Sequence, residues 1–336
     1  MLKIAVDTGG TFTDYTSWGT FASCREQRIF VKNPTDHQDP AAGIIRGLEE
    51  LAKAWDTDLR GLLRETESIT HGATLALNAL LEKKGVKTAL FTTYGFRDAL
   101  EIRRSQLKNQ WDLRAMGPDI LVPRRLRLGI RERLNYAGQE VLALDEDSVR
   151  KACQKCREQE VEAVAVCFLF SFLNPSHEQR AAEIIREELP DVFVTLSSEV
   201  APRIREYERT VTTVVNAYLT PVLSDYLAGV RSELEKYGWN KPIHIMTNSG
   251  VLSDIEAVSD LAVKTLLSGP GGGAVGNGAL GRLCQSSHTV LADMGGTSFD
   301  VHVISGGQRL LVADSELAGY PLTIPMIDIS SIGAGG

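Results

Sequence analysis

The sequence predicts an α/β fold in which duplicated mixed sheets are flanked by helices, and three observations support this. An octet of the pattern D-x-G-G-T-x-x-D occurs at residues 7–14 and again at residues 293–300. Each copy follows an apolar β-type run and precedes further strand-like residues, which predicts a strand, a tight Gly-Gly turn and a second strand. Between the copies, apolar runs alternate with helical stretches, a pattern typical of layered α/β domains.

The composition of the octet suits a polyphosphate. Paired glycines let backbone N–H groups close on an anion, and threonine hydroxyls add donors. The aspartate that opens each octet repels phosphate, but it can hold Mg²⁺ through water, and Mg²⁺ bridges to phosphate. Two such hairpins facing each other would clasp the phosphates of a nucleotide. The alternative is two ordinary hairpins with glycine turns, which the matched duplication disfavours.

The paired octets resemble the two phosphate motifs of the actin-like ATPase superfamily, which has a ribonuclease H-like fold and includes sugar kinases and heat-shock chaperone ATPases. Within it, the chain resembles the hydantoinase/oxoprolinase family, large (A-type) subunit, and keeps that family's motif order throughout. Four further stretches carry the resemblance: residues 70–82, beginning Thr70-His71-Gly72-Ala73-Thr74; residues 205–219, beginning Arg205-Glu206-Tyr207-Glu208-Arg209-Thr210; Ser268-Gly269-Pro270-Gly271-Gly272-Gly273; and Ser331-Ile332-Gly333-Ala334-Gly335-Gly336.

The resemblance implies ATP and Mg²⁺ as cofactors and gives roles to the octet residues. The candidate catalytic residues are Asp7, Asp293 and Asp300, of which Asp7 and Asp293 would anchor Mg²⁺ through water. Asp14 and Asp300 are also candidates for holding metal-bound water or bracing the hairpins. The implied phosphate-binding residues are Thr8, Gly9, Gly10, Thr11, Thr13, Gly295, Gly296, Thr297 and Ser298.

The resemblance further implies an ATP-dependent amidohydrolase that phosphorylates the carbonyl oxygen of a cyclic amide, such as a hydantoin or 5-oxoproline. Ring opening by water would follow, with a B-type partner subunit. Phosphoryl transfer asks the protein mainly for positioning and charge neutralisation. One alternative is an acetone- or acetophenone-type ketone carboxylase of the same family, the branch to which residues 105–111 are closer. An alternative of another class is a non-catalytic actin-like nucleotide switch.

Composition disfavours several other classes. The 336-residue chain is 43% hydrophobic and 24% charged with a net charge of −7, so it lacks the basic surface that a nucleic-acid partner requires. No apolar run could span a bilayer and the N-terminus enters a strand at once, so we expect no signal peptide and a cytoplasmic location. The five cysteines, an odd number, argue against disulfides; Cys153 and Cys156 are expected to be helix thiols.

A candidate substrate site is predicted after the first octet. Residues 68–92 are typical of a βαβ unit of a partly parallel sheet, with Thr74 capping a helix that runs to Gly85. Ligands bind beyond the carboxyl ends of parallel strands. Four polar residues should lie there: Thr70, His71, Thr74 and Asn78. The alternative is that threonine and asparagine only cap the helix.

A basic stretch at residues 97–133 stands out in an acidic chain. Its cationic residues are Arg97, Arg103, Arg104, Lys108, Arg114, Arg124, Arg125, Arg127, Arg131 and Arg133. A solvated face is the default interpretation. The functional alternatives are an anion site, for a substrate carboxylate or bicarbonate, and a docking surface for a partner subunit.

Other elements follow from local patterns. A third strand is predicted at residues 28–32, and a helix capped by Asp39 and Pro40 follows it. Residues 161–196 predict a second βαβ unit, so the first half of the chain should be doubly wound. Residues 199–237 predict helices interrupted at Pro221. Residues 269–281 predict a small-residue packing helix in preference to a phosphate loop, because the Lys-Ser/Thr of a P-loop is missing.

Two domains are expected from the resemblance. Residues 1–198 would form the N-terminal hydantoinase/oxoprolinase domain with the first phosphate motif, and residues 199–336 the start of the hydantoinase A domain with a hinge helix and the second motif. Only 36 residues follow Asp300, whereas the superfamily's adenosine-binding segment lies farther on. We therefore expect a truncated second half, either a fragment or part of a split enzyme, with the adenine site elsewhere.

Overall fold

The computed structural model describes residues 1–21, 26–104, 111, 120–295 and 299–332. Within these ranges the chain is a mixed α/β protein, as the sequence predicts. The strands are β1 (Leu2–Thr8), β2 (Phe12–Gly19), β3 (Gln27–Pro34), β4 (Thr66–Ala73), β5 (Thr88–Thr93), β6 (Arg127–Ile130), β7 (Arg133–Leu134), β8 (Glu140–Leu142), β9 (Ala163–Cys167), β10 (Phe193–Leu196), β11 (Ile243–Met246), β12 (Leu252–Asp254), β13 (Thr289–Met294), β14 (Phe299–Ser305), β15 (Gln308–Arg309), β16 (Leu311–Val312), β17 (Ser315–Leu317), β18 (Tyr320–Leu322), β19 (Met326–Ile327) and β20 (Ser330–Ile332).

Helices make up most of the remaining described chain. They are α1 (Pro40–Ala54), α2 (Leu59–Glu65), α3 (Leu75–Leu81), α4 (Ala99–Ile102), α5 (Glu146–Glu158), α6 (Ser176–Glu188), α7 (Ser197–Val200), α8 (Glu206–Lys236), α9 (Ile255–Val258) and α10 (Ser268–Leu283). Single 3₁₀ turns lie at Arg124–Leu126 and Ala262–Thr265. In the described ranges, none of these helices combines the length and apolar character that crossing a membrane requires.

The chain divides into two compact units. Unit 1 comprises Met1–Asn78, Leu223–Val312 and Pro325–Gly336, and unit 2 comprises Ala79–Val222 and Ala313–Ile324. Both octets fall in unit 1, while the basic stretch at residues 97–133 falls in unit 2.

Unit 1 contains a six-stranded mixed sheet of order β12-β11-β4-β1-β2-β3, in which β1 runs antiparallel to β2 and parallel to β4. Leu2, Ile4 and Val6 alternate inward along β1 and form part of the core. Helix α1 begins at the predicted cap, because the Asp39 carboxylate accepts from the Ala42 N–H at 3.0 Å. This sheet carries the first octet on the hairpin of β1 and β2, between β4 and β3.

A second sheet of unit 1 pairs β13, β14 and β15, with β20 added beside β14. Helix α10 packs against β13 and also against β11 and β4. The prediction that residues 269–281 are a helix is therefore confirmed. The sheet carries the second octet at the tip of its β13–β14 hairpin.

Unit 2 is built on a fully parallel sheet of order β10-β9-β5-β6. Every residue of its central strand β9 is buried, as expected for a parallel strand covered on both faces. The β9-α6-β10 segment confirms the second predicted βαβ unit. Cys153 and Cys156 lie on the buried face of α5, where burial raises the pKa of each thiol to about 12.

The predicted βαβ unit at residues 68–92 is wrong, and so is a doubly wound first half. β4 pairs with β1 and β11 in unit 1, whereas β5 pairs with β6 and β9 in unit 2. The sequence pattern identifies β4 and β5 as strands, but it does not say which sheet each strand joins. For this reason the prediction placed both strands in one unit. The intervening helix α3 also ends at Leu81, before the predicted cap at Gly85.

One continuous helix, α8, replaces the two helices predicted around Pro221. A proline inside a helix removes one N–H donor, here the one that would bond the Ala217 carbonyl. Leu219 and Leu223, on either side of the proline, are almost completely buried. Their packing favours a helix that runs on through Pro221.

Candidate functional site

The two octets fold in the same register. In the first, β1 and β2 place Asp7 opposite Asp14, and in the second, β13 and β14 place Asp293 opposite Asp300. The opening and closing aspartates of each octet are therefore cross-strand partners, which confirms the predicted pair of flanking strands for both octets. Three predicted phosphate-binding residues lie outside the described residues: Gly296, Thr297 and Ser298.

The turn of the first octet presents free N–H groups. Gly9 N–H donates to the Phe12 carbonyl at 3.0 Å, and Thr35 braces the turn from outside by donating its N–H to Thr11 O and its hydroxyl to Gly9 O. Among the described residues, no acceptor bonds the N–H of Gly10 or Thr11. These two donors at the tip of the turn could bind an anion, as the octet pattern predicts.

The three threonine hydroxyls of this octet are not equivalent. Thr13 is buried, and its hydroxyl lies 3.0 Å from that of Thr35. The Thr8 hydroxyl is also buried, close to the phenol of Tyr226. Thr11 is exposed, so it is the one of the three that reaches a ligand without rearrangement.

Thr74 and Asn78 lie beside this turn and brace it. The N–H and hydroxyl of Thr74 both donate to the Thr8 carbonyl, at 3.0 and 3.1 Å, and the Asn78 amide donates to the Thr74 hydroxyl at 3.2 Å. The Asn78 amide nitrogen also lies 3.8 Å from the position that a Cβ on Gly10 would take. Both side chains are half-buried. Their substrate-binding role stays a prediction.

Asp7 is the carboxylate with the most perturbed environment in unit 1. Asp7 keeps an exposed surface, but protein packed around its carboxylate limits hydration and raises its pKa to about 6, with the negative charges of Asp14 and Asp293 as further causes. Lys32 partly offsets this and forms an ion pair with Asp14 at 3.1 Å. Charges from both octets thus act on Asp7. Such a concentration of negative charge favours a bound cation.

Two glycines enclose the Asp7 carboxylate. A Cβ on Gly72, its neighbour in β4, would lie 3.1 Å from Oδ1, and a Cβ on Gly269, in the first turn of α10, would lie 3.2 Å from the same atom. Ser268 fixes this arrangement, because its hydroxyl accepts from the Ala73 N–H at 3.0 Å and donates to the Ala73 carbonyl at 2.9 Å. Sequence reasoning missed these contacts, although both stretches appeared among the family signatures.

His71 is buried inside β4, not beyond its end. The expected position of Thr70 and His71 past the strand is wrong, since β4 continues to Ala73 alongside β1. Burial lowers the pKa of His71 to about 4, so the ring is neutral at physiological pH. Nδ1–H then donates to the Val6 carbonyl at 3.2 Å, and Nε2 accepts from the Tyr226 hydroxyl at 2.7 Å.

The second octet is more open. Asp293 and Gly295 are exposed, and Asp300 is half-buried. Within the described ranges, no three His, Cys, Asp or Glu side chains are grouped so that they could hold a metal ion directly. A metal held through water, as the sequence predicts for Asp7 and Asp293, needs fewer direct ligands, and the raised pKa of Asp7 fits such a role.

The signature at residues 205–210 supplies a buried network in unit 2. Arg209 is 1% exposed, and its guanidinium donates to the hydroxyls of Ser171 and Ser197 and, at 2.7 Å, to the Phe168 carbonyl. This part of the signature therefore joins strand-end loops to α8. Sequence reasoning did not predict the burial of a charged residue here.

Comparisons with known proteins match both halves of the chain. Residues 3–189 match the hydantoinase/oxoprolinase N-terminal region, and residues 209–336 match the hydantoinase/oxoprolinase family. The caprolactamase subunit alpha of Pseudomonas jessenii is 37% identical over 99% of this chain and 48% of its own length. The chain thus spans about half the length of the curated relatives it matches.

Two solved structures are similar throughout the chain. A nucleotide-free structure of acetone carboxylase, from work on ATP-dependent acetone carboxylation, has a TM-score of 0.89 at 28% identity and covers 99% of this chain and 48% of its own. The ATP-dependent caprolactamase of Pseudomonas jessenii has a TM-score of 0.88 at 36% identity with the same coverage. The predicted fold, of the actin-like ATPase type, is confirmed.

Proposed function

Because the chain belongs to the hydantoinase/oxoprolinase family, we propose that it is the nucleotide-binding part of an ATP-dependent amidohydrolase that opens a cyclic amide. Its identity to caprolactamase subunit alpha, 37%, supports an amide substrate. The observation that carries the proposal is the environment of Asp7, where two octets of the same register bring three carboxylates together within unit 1.

The residues of the first turn would hold the phosphates. The free N–H groups of Gly10 and Thr11 and the exposed Thr11 hydroxyl are oriented by the braces from Thr35 and Thr74. These donors can bind an anion without reorganisation. Preorganised donors of this kind stabilise the charge that develops during phosphoryl transfer. Gly295, Gly296, Thr297 and Ser298 would act from the second octet.

Asp7 and Asp293 would hold Mg²⁺ through water. The ion, when bound, supplies positive charge that neutralises the phosphates. Its presence would also relieve the repulsion among Asp7, Asp14 and Asp293. The charge of these residues therefore suits a bound Mg²⁺ ion. ATP, when bound, would supply the phosphoryl group that activates the amide carbon towards water. After water adds, the C–N bond would break and the nitrogen would take up a proton, and hydrolysis of the acyl phosphate would release phosphate.

A partner subunit is part of the proposal. The caprolactamase relative is described as a subunit, which supports assembly with a second, B-type chain. The small-molecule carbonyl substrate would then be shared between this chain and that partner. Thr70, Thr74 and Asn78 remain the proposed contacts of this chain with the substrate.

A ketone carboxylase is the second candidate function. The high structural similarity to acetone carboxylase favours it, although the identity of 28% is lower than that to the caprolactamase. The two candidates differ in the co-substrate that must be present before ATP is consumed.

Phosphate release by the complete enzyme tests the proposal. This chain, with the remaining family segment and the partner subunit, should release phosphate from ATP with caprolactam, 5-oxoproline or a hydantoin, and the Asp293→Asn enzyme should not. Stimulation by acetone or acetophenone only when bicarbonate is present would replace the amidohydrolase with the carboxylase. Phosphate release that no compound stimulates would favour a nucleotide switch.

A further inference from the structure

A recess in unit 2 is lined by cationic side chains. It has a volume of about 540 Å³ and lies between α5, the 3₁₀ turn at Arg124–Leu126 and the edge strand β6. Six cationic residues line it: Arg97, Arg124, Arg125, Arg127, Lys151 and Lys155. Such a concentration is unusual for a chain whose net charge is −7.

Three of these cations are free. Arg125, Lys151 and Lys155 are exposed, and none has a hydrogen bond or ion pair with any residue in the described ranges. Lys151 and Lys155 are four residues apart on α5, so they project from one face of the helix. The opposite face is buried through Cys153 and Cys156. The fold therefore fixes both lysines toward the recess.

Arg127 distinguishes the recess from an ordinary solvated face. It is 2% exposed, with Nε donating to the Val122 carbonyl at 2.9 Å and Nη2 to Glu101 at 3.0 Å. Among the described residues its buried Nη1 has no hydrogen-bond partner, and an Asp98 carboxylate oxygen lies 3.9 Å from it. An unsatisfied buried donor is costly. The buried guanidinium charge of Arg127 adds to the positive potential of the recess that it lines.

The acidic groups beside the recess do not neutralise it. Asp98 is held by Arg124 through two hydrogen bonds, at 2.9 and 3.1 Å, and Glu101 is held by Arg127. Asp98 thus neutralises the charge of Arg124, and Glu101 offsets part of that of Arg127. The remaining charges of Arg125, Lys151 and Lys155 leave a net positive recess.

We propose that this recess binds a small polyanion with clustered phosphate groups, at a site separate from the octets. Two lysines and one free arginine, beside the fixed positive charge of Arg127, match a ligand that carries several negative charges on neighbouring groups. The volume accommodates such a molecule, and no octet residue lines the recess.

Titration calorimetry with inorganic triphosphate, in EDTA and at low salt, tests the site. Removing one recess charge by Lys151→Gln or Lys155→Gln should weaken binding about tenfold, because each charged hydrogen bond is lost. The matched control is Arg186→Gln, an exposed and unpaired cation of unit 2 outside the recess, which should leave binding unchanged. Protection of Lys151 and Lys155, which lie outside both octets, separates this site from the proposed function.

A local readout comes from acetylation of lysines followed by mass spectrometry. Triphosphate should protect Lys151 and Lys155 but not the exposed Lys87. The proposal is overturned if the wild-type chain does not bind triphosphate, if both lysines stay unprotected, or if Arg186→Gln weakens binding equally. Citrate that binds as tightly through the same lysines would overturn the assignment to phosphate.

Discussion

The carboxylate of Asp7 lies directly against Gly269 in the first turn of α10. A Cβ on Gly269 would be 3.2 Å from Oδ1 and 3.4 Å from Oδ2, and the shorter distance is tighter than nine in ten real Cβ contacts. The N-terminus of a helix carries partial positive charge, which favours a carboxylate at that position. The contact thus both places Asp7 and partly compensates the repulsion from Asp14 and Asp293.

Gly269→Ala should displace the Asp7 carboxylate and lower ATP turnover about tenfold to a hundredfold, because catalysis is sensitive to small misplacements. Its effect on folding should be small, since the carboxylate is the flexible end of a side chain and can move. The control is Gly276→Ala in the same helix, where nothing lies within 4 Å of the added Cβ. That variant should keep full turnover and gain about 0.5–1 kcal/mol of stability.

Turnover of both variants with the complete enzyme, together with urea unfolding, separates the two effects. Equal turnover in Gly269→Ala and Gly276→Ala would show that the position of Asp7 against α10 does not matter for catalysis.

Asp7→Asn should stabilise the chain while it abolishes most activity. The pKa of Asp7 is raised to about 6 in the folded state. Ionised Asp7 therefore lowers the free energy of unfolding at neutral pH. The asparagine variant should therefore unfold at higher urea concentration at pH 7.5 in EDTA, and this advantage should disappear below about pH 4, where the carboxyl is protonated in both states. Turnover should fall on the order of a hundredfold or more.

Asp191→Asn is the matched control, because Asp191 is exposed in unit 2 and has no partner among the described residues. It should change neither urea unfolding nor turnover. An Asp7→Asn chain that is less stable than wild type at pH 7.5 would contradict the assigned repulsion.

Local sequence patterns predicted the hairpins and α1 because those features depend on neighbours in the chain. The hairpin that carries Asp7 and Asp14 was predicted from two β-type runs on either side of a glycine-containing turn, and the cap at Asp39 from its own sequence. The contact between Asp7 and Gly269 joins residues far apart in the sequence, and no periodicity encodes it. The hydrogen bond between His71 and Tyr226 likewise joins residues that are 155 positions apart. Pairing partners and long-range contacts therefore required the structure.

The buried His71 should make stability depend on pH. Its pKa is lowered to about 4 in the folded state against about 6.5 when unfolded, so the unfolded chain binds the proton first as pH falls. Its contribution is constant above pH 6.5 and is lost as pH decreases toward 4, by about 2 kcal/mol at pH 5. Urea unfolding at pH 7.5 and pH 5.0 measures this difference.

His71→Gln should lose this part of the pH dependence, although it destabilises the chain at every pH. His37→Gln, at an exposed histidine, should keep it. Tyr226→Phe should destabilise by about 1–3 kcal/mol at pH 7.5, since Nε2 of His71 then lacks its donor. The interpretation fails if His71→Gln and wild type lose equal stability between the two pH values.

Arg209→Lys should destabilise the chain by roughly 3 kcal/mol, even though the charge is retained. The planar guanidinium reaches the Ser197 hydroxyl and the Phe168 carbonyl at once, and its face lies 5.5 Å from the centre of the Phe172 ring. A lysine ammonium cannot span these acceptors, so at least one buried group would lose its hydrogen bond. Arg205→Lys, at an exposed position of the same signature, should cost far less. Urea unfolding measures the free energy of unfolding of both variants. Similar decreases in the two variants would mean that the planar guanidinium of Arg209 is not what joins α8 to the loops.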